Sequence, residues 1–103
     1  MEIFAAIIDS QMRGNKGALA TVVETRGSTP RKAGAKMFVS EDGSFEGTIC
    51  GGCVEAEVYQ EARGVIKSGE SKIMEFRLTA KEMPEDSGLI CGGVMRIFIE
   101  PIQ

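Results

Sequence analysis

Histidine is absent from the 103 residues. That removes Ser–His and Cys–His nucleophile pairs, His-ligated zinc and the commonest general base. Any chemistry must rest on thiols, carboxylates, basic side chains, backbone amides or a borrowed cofactor. Long apolar runs are absent too: none approaches the ~20 residues of a membrane-spanning helix. The opening Met1-Glu2-Ile3-Phe4 has no basic stretch ahead of its apolar residues and does not read as a signal peptide. The net charge is only −3, so no global field draws nucleic acid or an anionic membrane, and an anion site must be local. Cysteines number three, with two of them, Cys50 and Cys53, close together. An odd, clustered set argues against a secreted disulfide framework and for a reducing cytoplasm. The remaining composition, 43% hydrophobic and 26% charged, is that of a globular chain, and the length predicts one domain.

The stretch that stands out is Thr48-Ile-Cys-Gly-Gly-Cys-Val-Glu-Ala56. It leads from an apolar strand-like segment into a helical pattern, Val54, Val58, Ala62, Val65 and Ile66. Two glycines before a helix start let the backbone turn so that several N–H groups face one concave site. Helix-start N–H groups lack intrahelical partners and lie at the positive end of the dipole. The pattern therefore predicts an anion cradle with the Cys53 thiol at its rim, ionising more easily than a free cysteine. The alternative is a tight strand-to-helix turn with two inert buried thiols.

In chain order, residues 3–12 read as a helix with Ile3, Ile7, Ile8 and Met12 on one apolar face and Gly14 as its stop. A strand is predicted over 18–25. The loop 26–34 gathers Arg26, Arg31 and Lys32 with the hydroxyls of Ser28 and Thr29, a mixture suited to phosphate or carboxylate or else to plain solvation. A strand over 35–40, an Asp42-Gly43 hairpin signal and a strand over 45–49 follow. The helix after Cys53 has Glu55, Glu57 and Glu61 early, Arg63 and Lys67 late, and Gly69 as a stop, matching the helix dipole. Glu55 also falls beside the cradle. Residues 72–78 give a mixed strand signal, 79–87 a polar surface connection with Pro84, and 94–99 a last strand before Pro101. The expected fold is α+β: a small single domain ordered helix–three strands–helix–two strands, with a mixed sheet and helices packed on it.

Ile49-Cys-Gly-Gly52 is echoed by Ile90-Cys-Gly-Gly93. Three chemistries compete for these residues. Both turns could join the 26–34 loop around one anionic ligand. Cys50 and Cys53 could form a redox pair at a helix start. Cys50, Cys53 and Cys91 could hold zinc or an iron–sulfur cluster, although structural zinc wants four ligands and histidine is missing.

Gly27-Ser-Thr-Pro-Arg31 with Gly34-Ala-Lys-Met37, then Gly51-Gly-Cys-Val-Glu55, then Cys91-Gly-Gly93 with Phe98-Ile-Glu-Pro101, resembles the XdhC/CoxI family. These are accessory proteins of molybdenum hydroxylases such as xanthine dehydrogenase and carbon monoxide dehydrogenase. The resemblance implies a chaperone rather than an enzyme. It would bind the molybdenum cofactor transiently, as molybdopterin or its nucleotide form, assist its sulfuration and deliver it to an apo hydroxylase. Further implied partners are a cysteine desulfurase and a Rossmann-like XdhC-type subunit, and a homodimer is the expected assembly. The resemblance puts Cys53, Gly51, Gly52 and Glu55 at the principal motif, Ser28 and Arg31 in one flanking motif, and Cys91, Gly92 and Gly93 in the other. Relatives more often carry a small residue where this chain has Cys50, which leaves a local redox role for Cys50 and Cys53 open. Longer members add a C-terminal Rossmann-like domain that these 103 residues do not contain.

Overall fold

The computed structural model describes residues 2–27, 33–49, 54–77 and 93–102. Its elements are α1 (Ile3–Met12), β1 (Gly17–Arg26), β2 (Lys36–Ser40), β3 (Phe45–Gly47), α2 (Glu55–Ser68), β4 (Lys72–Arg77) and β5 (Val94–Ile102). The five strands form one sheet in the order β3-β2-β1-β5-β4. The α+β class and the order of elements match the sequence reading. The expected mixed sheet does not: among the described residues every pairing is antiparallel. The crossover through α2 does leave β3 and β4 running the same way. They stand at opposite edges, however, and β5 enters between β4 and β1, so no parallel pair forms among these strands.

The sheet buries one face under α2. Strand alternation sets Ala18, Ala20 and Val22 of β1 beside Met37 and Val39 of β2 and Met95, Ile97 and Ile99 of β5, and all are buried. Val58, Ala62 and Val65 recur at helical spacing along α2 and close this core. Burial of each such valine stabilises by roughly 1.5–3 kcal/mol. The helix ends where the sequence predicts. Gly69 takes φ 74° and donates its N–H to the Val65 carbonyl at 2.8 Å.

Among the described residues, the other face is covered only in part, by α1 over β2 and β3. Here the apolar-face expectation fails. Ile8 and Met12 are exposed, Met12 by 83%, and the buried residue is Ser10. The contact face is rotated because the Ser10 hydroxyl meets that of Ser40 at 3.1 Å, a buried polar pair that apolar periodicity cannot register.

The hairpin forms where the sequence signals it, and one strand end differs from the sequence reading. In the turn between β2 and β3, Gly43 donates to the Ser40 carbonyl at 2.9 Å, and of the turn residues 41–44 only Gly43 has positive φ, so Asp42 does not enter the left-handed region as a type I′ turn requires. β3 ends at Gly47 instead of running to Ile49. Gly47 has φ 86°, and a Cβ there would run into the Lys36 carbonyl and approach Ile3 Cδ1 to 3.2 Å. At the far end, β5 continues through Pro101, which pairs with Ala18 beyond the last β4 partner, Lys72 opposite Ile99. The missing N–H of the proline therefore interrupts no bond to β4. Among the described residues, no helix is long and apolar enough to cross a membrane.

Candidate functional site

The register fixes where the motif segments leave the sheet. Arg26 ends β1 opposite Val94, which begins β5, and Arg77 ends β4 opposite the same Val94. Gly34 donates to the Val22 carbonyl at 2.7 Å and Val22 to the Ala35 carbonyl at 2.9 Å, which returns the chain beside the end of β1. Gly47 ends β3 opposite Met37, near the start of β2. The described residues nearest the three motif segments thus lie at one end of the sheet.

Those flanks are firmly seated. Ile49 and Val54, on either side of Cys50-Gly-Gly-Cys53, are both buried in the core beneath α2. Gly93 is buried, immediately before Val94. Val58 donates to the Val54 carbonyl at 3.0 Å, so the N–H groups of Glu55, Ala56 and Glu57 precede the helical ladder of α2. Of the predicted site residues, Glu55 and Gly93 are described: Glu55 is half-buried at the first position of α2. Ser28, Arg31, Cys50, Gly51, Gly52, Cys53, Cys91 and Gly92 lie outside the described residues. Among the described residues, no group of three or more His, Cys, Asp or Glu could hold a metal ion.

Glu55 lines a hollow of about 270 Å³ with Met37, Phe45, Ala56, Tyr59 and Gln60. It opens between the β2–β3 edge and the first two turns of α2. Phe45 and Tyr59 meet edge to face, with centroids 5.8 Å apart and planes at 72°. The Tyr59 hydroxyl donates to the Gly43 carbonyl at 2.8 Å, and the Arg63 guanidinium carbon lies 5.8 Å from the ring centroid. Sequence reasoning singled out Glu55 but missed the aromatic pair. Its one signal was the lone tyrosine of the chain, four positions beyond Glu55 and hence on the same helix face.

The basic residues are arranged differently from the loop reading. Arg26 belongs to β1, and its Nη2 lies 3.1 Å from Glu24 Oε2. Arg96 Nη1 reaches Glu24 Oε1 and Arg96 Nε reaches Glu75 Oε2, each at 3.5 Å, and Arg77 Nη2 lies 3.5 Å from Glu75 Oε1. The result is an exposed ladder across β1, β5 and β4 on the face away from α2. The repeated Glu-x-Arg at 24–26 and 75–77 was its sequence signal. Such exposed pairs contribute little stability, but they engage Arg26 with a carboxylate.

Comparison with known proteins adds to this geometry. The model of the XdhC and CoxI family matches residues 10–77. The chain is 35% identical over 96 residues to the molybdenum cofactor insertion chaperone PaoD of Escherichia coli, covering 93% of this chain and 30% of that protein. It is 30% identical over 101 residues to a probable xanthine dehydrogenase subunit of Bacillus subtilis, covering 96% of this chain and 31% of the relative. An uncharacterized Escherichia coli protein, YqeB, is 36% identical over 99 residues, which are 96% of this chain and 18% of its own length. The crystal structure of a xanthine dehydrogenase from Bacillus halodurans superposes with a TM-score of 0.77 at 25% identity, covering all of this chain and 31% of the other. The chain therefore spans less than a third of each of these relatives.

Proposed function

The chain belongs to the XdhC and CoxI family, and on that premise we propose that it binds the molybdenum cofactor as cargo and assists its insertion into a xanthine dehydrogenase-type hydroxylase. The observation that carries this reading is the likeness, over nearly the whole chain, to a molybdenum cofactor insertion chaperone. The common end of the sheet at which the motif flanks lie supports a single site. An aromatic hollow beside the dipole-positive start of α2, reaching from Met37 toward the β2–β3 turn, suits a flat ring of such a cargo.

In this reading Cys53 contributes a soft thiolate ligand. Gly51, Gly52, Gly92 and Gly93 let the backbone approach the cargo closely. Arg31 and Ser28 take its phosphate through charge-assisted and hydroxyl bonds. The chain turns over no substrate. It works in the cytoplasm as a homodimer with the apo hydroxylase, with a cysteine desulfurase that sulfurates the cargo, and with a Rossmann-like unit corresponding to the remainder of its longer relatives.

The test is to produce the 103-residue chain in a host that makes the cofactor, purify it anaerobically, and measure molybdenum and pterin per chain. Both should co-elute with the wild type and fall at least tenfold in Cys53→Ser. Neither rising above background in the wild type would overturn the reading.

A further inference from the structure

The hollow beside α2 is an irregularity in the core. Phe45 pairs with Val39, and alternation sets it on the face that α2 covers. Yet Phe45 is 58% exposed. The core stops short of it because Gly47 ends β3 after three residues, while α2 lies over β1, β5 and β2. A phenyl ring is thus left open beside Met37 and Ala56, with Tyr59 standing across it. The Tyr59 hydroxyl is already used by Gly43, so this ring offers the hollow its apolar surface. The remaining polar side chains of the lining are Glu55 and Gln60.

This combination selects a ligand class. About 270 Å³ falls below the ~300–1,000 Å³ of sites for drug-sized molecules, and fits one flat ring system better than a whole nucleotide. Two aromatic walls favour a π-face. A carboxylate accepts two parallel N–H bonds, the geometry that makes its bidentate pairs strong. Among the common neutral biological ring systems, those that present an N–H and an NH₂ side by side carry a 2-amino-4-oxopyrimidine edge, as pterins and guanine do. We propose that the hollow binds a 2-amino-4-oxopyrimidine ring, packed on Phe45 and Tyr59 and paired with the Glu55 carboxylate. Gln60 is the neighbouring donor for the ring's 4-oxo group. The proposal rests on the reading that the chain carries the molybdenum cofactor, whose organic part is a pterin, and it assigns the residues that take that ring.

Neopterin is fluorescent and serves as the probe, its anisotropy titrated with the intact chain, with guanosine and adenosine as competitors. Saturable binding should appear, guanosine should displace it, and adenosine, which lacks the paired donors, should compete at least tenfold less well. Phe45→Ala and Glu55→Gln should each weaken neopterin binding about tenfold with an unchanged circular dichroism spectrum. Phe45 is largely exposed and Glu55→Gln keeps shape, so neither variant endangers the fold. Tighter neopterin than guanosine identifies the pterin as the natural source of the ring, and the reverse order a guanine nucleotide; both support the hollow. Absence of saturable binding, equal displacement by adenosine, or unchanged affinity in both variants overturns it. Molybdenum retention separates this failure from that of the functional reading. Retention with no neopterin effect removes the hollow alone. Neopterin binding without retained molybdenum or pterin leaves the hollow and removes the chaperone.

Discussion

Arg26 and Arg77 stand opposite the same residue, Val94, from the two strands that flank β5. The ends of β1 and β4 are therefore level. The β3–α2 junction, held by buried Ile49 and Val54, belongs to the same end of the sheet. Residues far apart in sequence are thereby given a common address, and the antiparallel register, not any local motif, provides it.

The first prediction follows from that level edge. In a Cys50→Ser chain, a short rigid bis-maleimide should close an intramolecular bridge between Cys53 and Cys91, seen as a single added linker mass on a monomer. Two separate mono-adducts, with no bridged species at limiting reagent, would place the two motifs too far apart to share a ligand.

The Ser10–Ser40 pair makes a second, independent prediction. The two hydroxyls are 3.1 Å apart, and Ser10 Oγ also lies 3.5 Å from the Asn15 carbonyl. Removing one partner takes a hydrogen bond from a buried hydroxyl, which costs up to about 1–3 kcal/mol, whereas removing both spares that penalty. Ser10→Ala and Ser40→Ala should each lower stability in urea. The double variant should be less destabilised than the sum, by about 0.5–1.5 kcal/mol. Strict additivity would mean that the hydroxyls are merely adjacent.

Much of the fold was readable from local chemistry. Gly69 ends α2 as its position after the periodic residues predicts, and Asp42-Gly43 marks the hairpin. What local chemistry could not supply is adjacency. Nothing in residues 94–102 announces that this strand will insert between β1 and β4, since both its neighbours are chosen by burial of Met95, Ile97 and Ile99 against distant segments. The rotation of α1 was hidden for a related reason: Ser10 is polar, and its burial depends on Ser40, thirty positions away. The site divides the same way. Glu55 was visible from its place after the Cys-Gly-Gly motif, while Phe45 read as an ordinary strand residue until the early end of β3 exposed its ring.

A third prediction concerns acid. Asp42 accepts hydrogen bonds from the Ser44 hydroxyl at 2.6 Å and the Ser44 N–H at 2.9 Å. These bonds, the hydroxyl foremost, hold its carboxyl below the ordinary aspartate range, which lies near about 4. A depressed folded-state value favours folding at pH above the unfolded-state value, and the benefit fades as pH falls through the folded-state value. The urea midpoint of the wild type should therefore exceed that of Asp42→Asn at neutral pH, and the gap should narrow below about pH 4. A gap that stays constant down to strong acid would detach the hairpin from this titration.

The last prediction separates cargo binding from thiol redox chemistry at the central motif. Cys53 lies two positions before the first residue of α2, and Cys50 directly follows buried Ile49. If Cys53 is the ligand, its thiolate matters individually. Cys53→Ser should then abolish molybdenum retention while Cys50→Ser leaves most of it, because the serine at position 50 keeps the turn and removes no ligand. If the pair instead cycles as a disulfide, either serine destroys the same bond and the two variants should be equally impaired. Thiol titration of anaerobically purified protein adds a readout independent of molybdenum. Three thiols should remain free across a mild dithiol–disulfide buffer series, since a pair that cycles is poised to oxidise within that range. Equal loss in both serine variants, with two thiols disappearing reversibly together, would move Cys53 from cargo ligand to redox partner.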